Sequence, residues 1–375
     1  YNNKINAKNK IQVGTKYALF HHTIDQSNLL PDASSRFTLV DLNAQISTLN
    51  NFVSWKHRFN NNFSFVAGVH NMNVLYNNKS TIEPRIALKW QANSSNAFTA
   101  GYGKHSAMES VHNYFARVPQ PDGSISEPNK DLGLLKADHI VIGYEKRFTR
   151  NLTAKVELYY QHLYNLPVEN NDTSYYATIN EGLEFKYTDL VNKGTGKNYG
   201  IELTVERSFN NNYYYLVNAS LYESKYKSLE GIERNTLFNG NYLVNILFGK
   251  EFVKLGKKKN QTLGINTKVF FGGGRKIIPL LRDGQGNLAV DPATNSYWDY
   301  KKAYNNKIDD IYQVTLSFSY KFNRPKATHE IFLNIDNLTD NRGKISEYYD
   351  ADEPNKTGHL TQFGIFPNLL YRIYF

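Results

Sequence analysis

The chain has 375 residues, of which 41% are hydrophobic and 14% aromatic, and its mean hydropathy is −0.55. It contains no cysteine and no run of about 18 apolar residues, which excludes disulfide or thiol chemistry and a transmembrane helix. The net charge of +10 comes from basic residues that are spread among 34 acidic ones, without a basic helix or an RNA-binding motif. These charges indicate solvated loops that face anionic lipid headgroups or lipopolysaccharide, and no nucleic acid.

An alternation of apolar and polar residues with a period of two runs along most of the chain. It is clearest from Tyr312 to Phe322. The pattern predicts fourteen strands, near residues 9–21, 47–59, 62–76, 82–92, 96–107, 134–148, 152–167, 197–208, 212–226, 239–252, 262–275, 310–322, 327–338 and 361–375. Strands of soluble proteins average about five or six residues, whereas a tilted strand needs roughly ten to cross a bilayer. Their length therefore favours a barrel wall over a secreted sandwich or lectin.

The connections between these segments alternate in length. The short ones lie at residues 60–61, 93–95, 149–151, 209–211 and 323–326, with a slightly longer basic turn at 253–261. The long ones lie at residues 22–46, 108–133, 168–196, 227–238, 276–309 and 339–360. Short turns at one end and long loops at the other are typical of an up-and-down antiparallel transmembrane β-barrel whose short turns are periplasmic. The last strand then ends at Phe375 on the periplasmic side.

Aromatic residues gather at the periplasmic ends of the predicted strands. They are Phe59, Phe148, Phe209, Phe252, Phe322, Tyr374 and Phe375. Clustering at one level favours an aromatic belt at the membrane interface, and ordinary core packing is the alternative.

The stretch KGTGKNYGIELTVER, Lys193 to Arg207, resembles a phosphate-binding loop only superficially. A Walker A loop requires glycine where Val191 stands and serine or threonine where Asn198 stands, and it must open a helix. Here a period-two alternation follows Tyr199, which predicts a strand. The segment is therefore not expected to bind a nucleotide.

Signals for catalysis and metal binding are weak. The chain has no nucleophile elbow, no His-Glu-x-x-His motif and no Ser-His-Asp grouping, so no enzyme activity is expected. His21 and His22 are neighbours that point to opposite faces of a strand. Asp283 to Asn287 lacks the terminal glutamate of a calcium loop and is interpreted as a turn. The acidic residues near 350–353 are equally ambiguous, and no metal or cofactor is expected.

Two sets of side chains are candidates for function. Charged residues on the polar strand faces are expected to line the lumen, and those selected are Arg85, Lys89, Glu202, Glu206, Asp336 and Arg372. Residues of the long loops are candidate ligand contacts, because aromatic faces stack on rings and sugars and hold cations. They are Tyr114, Phe115, Arg117, Tyr175, Tyr176, Trp298, Tyr300, Tyr348 and Tyr349. Packing of loop against loop is the alternative for these rings.

Five stretches together resemble TonB-dependent outer-membrane receptors. IFLNIDNLTDNRG and the terminal GIFPNLLYRIYF are similar to the last two strands of that family. STIEPRIALKW, NKDLGLLKADHIVIGYEKRF and NKGTGKNYGIELTVER follow the family's order of strand motifs. Lys136-Ala137-Asp138 departs from the family's Lys-Pro-Glu. The richness in Asn, Lys and Tyr resembles Bacteroidota members.

The resemblance implies a fold, a function and partners. Family members have a 22-stranded barrel filled by a plug, so residues 1–375 are expected to be the C-terminal fourteen strands, with the plug, the TonB-contacting segment and eight strands outside this sequence. Most charged lumenal groups would then hold the plug. Tyr371, Ile373 and Phe375 would form the C-terminal signal for barrel assembly.

The implied activity is import across the cell outer membrane, with TonB and a plug domain as partners. A surface lipoprotein is a further candidate partner. The substrate would be a metal chelate, a cofactor, a glycan or a peptide. Two alternatives remain at this stage: a passive fourteen-stranded porin-like channel, and an outer-membrane docking or adhesion protein that moves no solute.

Overall fold

The computed structural model describes residues 1–29, 36–120, 122–182 and 185–375, and most of them lie in β-strands. The strands are β1 (Asn2–Lys4), β2 (Asn9–Leu29), β3 (Arg36–Arg58), β4 (Phe63–Val74), β5 (Lys79–Asn93), β6 (Asn96–Ala107), β7 (Val118–Pro119), β8 (Ile125–Ser126), β9 (Leu135–Thr149), β10 (Leu152–Glu169), β11 (Leu190–Asn210), β12 (Tyr213–Lys227), β13 (Glu233–Asn235), β14 (Tyr242–Leu255), β15 (Gln261–Gly272), β16 (Lys276–Ile277), β17 (Asn306–Lys307), β18 (Ile311–Arg324), β19 (Ala327–Asp336), β20 (Lys344–Tyr349), β21 (Thr357–Thr361) and β22 (Phe366–Tyr374). One short helix, α1 (Val111–Tyr114), and three 3₁₀ turns, Pro128–Asp131, Thr178–Asn180 and Tyr300–Lys302, lie in the loops. No helix in these ranges is long and apolar enough to cross a bilayer.

One 16-stranded sheet forms the body of the molecule. Its path runs β1-β2-β3-β4-β5-β6-β9-β10-β11-β12-β14-β15-β18-β19-β22, with β13 added beside β12. Neighbours are antiparallel throughout, as in the pairs β10–β11 and β19–β22. All fourteen predicted strands are present in this path, and the three-residue β1 is additional. The strands β1 and β22 form the two edges of the sheet.

The predicted difference between the two ends is confirmed. Short turns join β3–β4, β5–β6, β9–β10, β11–β12, β14–β15 and β18–β19 at one end, and most connections at the other end are long. Small two-stranded sheets brace three of the long loops, and they pair β7–β8, β16–β17 and β20–β21. We call the end with the long connections the loop end.

The predicted loop at 22–46 is wrong for most of its length. The strands β2 and β3 stay paired up to Leu29 and Arg36, and residues 30–35 lie outside the described part of the chain. Packing on its inner face stabilises the extended hairpin, because Val40 and Ile46 are buried against loop residues. Val40, Leu42, Ala44 and Ile46 alternate with Asp41, Asn43 and Gln45, so the period-two signal was present in β3 and was missed.

The two faces of the sheet differ in chemistry. On the outer face, directly paired Leu158, Ile201 and Leu221 have 53%, 40% and 62% of their surface exposed. Each apolar side chain exposed to water forfeits about 1.5–3 kcal/mol of transfer free energy, which a row of lipid chains restores. One residue along each strand, Glu157, Glu202 and Ser220 pair on the inner face. The alternation therefore separates an apolar outside from a polar inside.

Aromatic residues on the outer face form contacting groups near the short-turn end. Phe59 stacks on Phe63 with ring centres 5.2 Å apart, and Trp90 stacks on Phe98 at 5.3 Å. Tyr374 does not belong to this predicted belt, because its hydroxyl donates to the inner-face Glu330 at 2.7 Å. Strand alternation places Tyr371 and Ile373 on the outer face, and it places Arg372 and Tyr374 on the inner face, where Tyr374 lies beside Glu330.

The segment with the apparent phosphate-loop signature lies within β11 (Leu190–Asn210). Gly194 pairs with Leu166 at a register irregularity between β10 and β11. A Cβ on Gly194 would lie 2.4 Å from Val168 Cγ1, so only glycine fits without a shift. Gly194 and Gly196, which the sequence pattern places in the loop before the strand, are part of β11, because the strand begins at Leu190.

Candidate functional site

The long loops pack against one another at the loop end, and we call this packed layer the platform. Two buried hydrophobic clusters lie in it. The first contains Val40, Leu42, Ile46, Tyr114, Phe115, Leu132, Tyr176 and Leu190, and the second contains Val168, Ala177, Tyr226, Ala303 and Tyr304. Since their members come from several loops and from the loop-end parts of β3, β10, β11 and β12, the clusters fix the loops to one another and to the wall.

Several of the candidate ligand-binding rings lie inside these clusters. Tyr114 and Phe115 are only 1% and 9% exposed, and burial raises the pKa of Tyr114 to about 12. Tyr176 is 7% exposed, and burial raises the pKa of its hydroxyl far above the ordinary range. These three rings have little free face for a ligand. They pack loop against loop, which is the alternative that the sequence left open.

Tyr175 and Tyr300 join two loops directly. Their rings stack with centres 5.1 Å apart and planes inclined by 14°. Tyr304 meets Tyr175 edge-on at 6.1 Å. Arg117 is anchored through its backbone, whose N–H donates to the Leu39 carbonyl at 2.9 Å. The platform is thereby tied to the tall hairpin of β2 and β3.

A buried polar seam connects the loop that follows β6 with the loop that follows β10. Thr178 Oγ1 donates to Glu109 Oε2 at 2.6 Å, and Asn113 Nδ2 donates to Glu181 Oε1 at 2.9 Å. Tyr176 also donates its hydroxyl to Glu181 at 2.6 Å. Asn113 is fully buried. Because unpaired polar groups are costly when buried, these bonds hold the two loops in one relative position.

The exposed aromatic residues of the platform gather at a different place. Tyr297 and Tyr349 stack face to face, with ring centres 4.6 Å apart and planes inclined by 4°. Their exposed fractions are 37% and 42%, and that of Tyr348 is 45%. Trp298, half-buried, pairs through its backbone with Leu280 beside them. We call Tyr297, Trp298, Tyr348 and Tyr349 the aromatic rim.

The aromatic rim is assembled by contacts between the loop after β15 and the hairpin of β20 and β21. Leu280 N–H donates to Glu347 Oε1 at 2.9 Å, and Arg282 Nη2 donates to Thr357 Oγ1 at 2.7 Å. Sequence reasoning identified three of the four rim residues and missed Tyr297. Its position directly before Trp298 was the available signal.

The strand register places all six predicted lumenal residues on the inner face. Arg85 and Lys89 share the face of Glu83 on β5, and Glu202 and Glu206 share the face that pairs with Glu157. Asp336 accepts a hydrogen bond from Thr315 at 3.1 Å, and Arg372 lies 3.5 Å from Glu330. Whether these groups meet a plug or a substrate stays a prediction.

Glu83 is the centre of a polar network on the inner face, and sequence reasoning missed it. It is 2% exposed and accepts hydrogen bonds from Arg85 Nη2 at 2.6 Å and His70 Nδ1 at 2.9 Å. Thr81 and Ser106 donate to its other oxygen. The signal was its place two residues before Arg85 in a period-two strand. Glu330 holds a similar position on β19, with Ser319 and Tyr374 as donors.

Beside the Glu83 network the inner face is concave. The hollow has a volume of about 520 Å³, and Phe52, His70, Arg85, His105 and His139 surround it. Its floor is made of residues with little or no side chain: Gly68, Ala87, Gly101 and Gly103. Rings and cations around a flat floor can hold a planar or anionic group that enters the lumen.

The suspected calcium loop is a turn. Asp283 accepts from the backbone N–H groups of Gln285 at 2.9 Å and Asn287 at 2.8 Å. These bonds hold the pKa of Asp283 below its usual value. Within the described ranges, no group of three or more His, Asp or Glu side chains is arranged to hold a metal ion.

A family model described as TonB dependent receptor-like, beta-barrel, matches residues 2–338. The chain belongs to this family. Its members are receptors and transporters of the outer membrane of Gram-negative bacteria, so the short turns of this wall are periplasmic and the loop end is extracellular. No curated protein sequence matches the chain significantly.

Solved structures confirm the fold. The chain is similar to the ferric yersiniabactin uptake receptor FyuA from Yersinia pestis, with a TM-score of 0.63, 12% identity, and coverage of 99% of this chain and 52% of that one. For the outer membrane transporter YddB from Escherichia coli the TM-score is 0.62 and the identity 13%, with coverage of 100% of this chain and 53% of that one. For the ferric preacinetobactin receptor BauA from Acinetobacter baumannii the TM-score is 0.62 and the identity 11%, with coverage of 100% of this chain and 52% of that one. The chain therefore spans about half the length of these receptors.

Proposed function

We propose that residues 1–375 form the C-terminal part of the barrel wall of a TonB-dependent importer. The observation that carries the proposal is a wall with an apolar outside and a charged inside, which bears a platform of packed loops at its extracellular end. Family membership and the half-length match to solved receptors support it. The rest of the barrel, a plug domain and a TonB-contacting segment complete the importer.

In this proposal, the ligand first meets the extracellular aromatic rim, where exposed tyrosine faces are available for stacking. TonB then draws on the inner-membrane proton-motive force to displace the plug in part. The ligand passes along the inner face beside the Glu83 network and the neighbouring hollow. The proposed substrate is a small solute with planar or ring groups, such as a metal chelate, a cofactor or a glycan; a peptide with aromatic side chains is the fourth class.

Conductance of the full-length protein in planar lipid bilayers tests this proposal against a passive porin. An importer is closed in the absence of TonB, because the plug fills its lumen, and it opens when urea unfolds the plug or when the plug is deleted. A steady open conductance in the intact protein contradicts the proposal. So does an intact protein that does not bind the periplasmic domain of TonB in a pull-down, which would instead favour a docking or adhesion role.

A further inference from the structure

On the outer face of five adjacent strands, the polarity and charge of the side chains change in the same order toward the extracellular end. On β11 the outward residues run Ile201, Tyr199, Lys197, and on β6 they run Ala100, Tyr102, Lys104. On each strand the outward residues change from apolar, through tyrosine or carboxylate, to basic. They are Ala100, Tyr102 and Lys104 on β6; Ile142, Ile140, Asp138 and Lys136 on β9; Leu158, Tyr160 and His162 on β10; Ile201, Tyr199 and Lys197 on β11; Leu221, Glu223, Lys225 and Lys227 on β12.

The layers of a lipid bilayer explain this order of side chains along the wall. Aliphatic side chains meet the lipid tails, and tyrosine rings lie at the interface, where their apolar body and polar hydroxyl meet different media. Tyr160 and Tyr199 are 43% and 39% exposed and pair directly across β10 and β11. The cationic residues come one or two residues further along the same face. They are therefore at the height of the headgroups of the outer leaflet.

The basic residues are close together, and the lysines among them are only partly neutralised. His162, Lys197 and Lys225 stand in one row of paired residues across β10, β11 and β12. Lys104 lies 3.8 Å from Asp138, and Lys225 lies 3.6 Å from Glu223, both loose contacts. Lys197 has a close partner, with its Nζ 2.8 Å from Glu233. In the described part of the chain, Lys136 and Lys227 form no ion pair, so five lysines face three carboxylates.

Other strands end differently on the same face. The outward residues of β4 and β5 toward the extracellular end are Asn71, Asn73 and Ser80, which are uncharged. Asn71 instead accepts a hydrogen bond from Asn51 at 3.3 Å. Basic residues at this level of the outer face are thus more numerous on β6 to β12 than on β4 and β5.

We propose that Lys104, Lys136, Lys197, Lys225 and Lys227 form a binding patch for the phosphate groups of an outer-leaflet glycolipid, lipopolysaccharide. Lysine ammonium groups bind phosphate as point charges, and the aliphatic and tyrosine rows directly below supply a surface for the acyl chains of the same molecule. Because the apolar rows adjoin the lysines on the same face, the surface fits a lipid with acyl chains better than a soluble anion. The inference depends on the membrane position of the wall and not on the transport activity.

Native mass spectrometry of the full-length protein in detergent tests the patch. The probes are bisphosphorylated lipid A, the same lipid after removal of its phosphates, and inorganic phosphate alone. The variant is Lys104→Gln/Lys136→Gln/Lys227→Gln, whose lysines have loose ion pairs or none. The matched control is Lys257→Gln/Lys258→Gln/Lys259→Gln, three exposed lysines of the turn at the periplasmic end.

We expect the patch variant to lose at least about tenfold in affinity for bisphosphorylated lipid A, since each basic residue near an anionic membrane surface contributes on the order of 1 kcal/mol. The control variant and the binding of dephosphorylated lipid should be unaffected. Equal affinity of wild type and patch variant overturns the proposal, as does competition by inorganic phosphate at the same concentrations as lipid A. The single variant Lys227→Gln, expected to lose part of the affinity with an unchanged unfolding temperature, guards against loss of the fold.

Discussion

Arg85 and Glu83, two residues apart on the inner face of β5, form an ion pair with 2.6 Å between Nη2 and Oε2. Nδ1 of His70 on β4 lies 2.9 Å from the same carboxylate oxygen. Of the three groups only the Glu83 carboxylate is buried, so Arg85 and His70 supply the charge and hydrogen bonds that compensate its removal from water. The pair therefore ties β4 and β5 together and fixes the Arg85 side chain at the edge of the inner-face hollow.

Glu83→Gln tests this role. We expect the free energy of unfolding to fall by about 1–3 kcal/mol, because Arg85 and His70 lose their charged acceptor. Urea-induced unfolding of the full-length protein in lipid vesicles, followed by tryptophan fluorescence, measures the change. Glu202→Gln is the control, since Glu202 is exposed on the same face and should leave stability unchanged. A Glu83→Gln protein as stable as wild type contradicts the network's structural role.

Asn113→Ala tests the polar seam of the platform. Asn113 is fully buried and bonds Glu181 across two loops, so its loss should let the loops after β6 and β10 separate. We expect limited proteolysis to cut both loops faster, while the unfolding temperature of the wall stays the same. Asp122→Ala, at an exposed turn of the same loop, should have no such effect. Unchanged protease resistance in Asn113→Ala would show that the aromatic clusters alone hold the loops.

The buried tyrosines give the platform an upper pH limit. Burial raises the pKa of Tyr114 from 10.0 to about 12, because the neutral hydroxyl is favoured in an apolar site. A folded pKa above the unfolded one contributes stability that is complete below pH 10 and is lost as the pH rises through 12. Near-ultraviolet circular dichroism should therefore show the platform loosening between pH 10 and 12. Far-ultraviolet signal from the wall should persist, and a platform unchanged at pH 12 is the opposing result.

Much of the wall could be predicted from the sequence, because lipid outside and polar groups inside impose a period of two on every strand. The fourteen strands, the alternation of turns and loops and the inner position of Glu202 and Arg372 all follow from that rule. The platform does not follow any local rule. The Glu109–Thr178 bond joins residues 69 positions apart, and nothing in either neighbourhood indicates the other. Tyr114 and Tyr348 look equivalent in sequence, yet one is buried and the other exposed.

Tyr349→Ala tests the aromatic rim as a first contact for ligand. Ferric chelates, cobalamin, oligosaccharides and aromatic peptides are screened against the full-length protein by quenching of tryptophan fluorescence. For any ligand that binds, we expect affinity to fall roughly three- to tenfold, the value of one lost stacking contact. Ile232→Ala, an exposed loop residue outside the rim, is the control. Equal losses in both variants would assign the effect to general disturbance of the loops.

The central claim is that this sheet is a membrane wall with lipid against one face. Since the chain has no cysteine, single cysteines can be placed at Ile201, Glu202, Leu203 and Thr204 of β11 and spin-labelled in the full-length protein in lipid vesicles. Ile201 and Leu203 lie on the outer face and Glu202 and Thr204 on the inner one. Collision rates with oxygen, which concentrates in lipid, should be high at the first pair and low at the second. Equal rates at all four positions, or the reverse order, would contradict the claim.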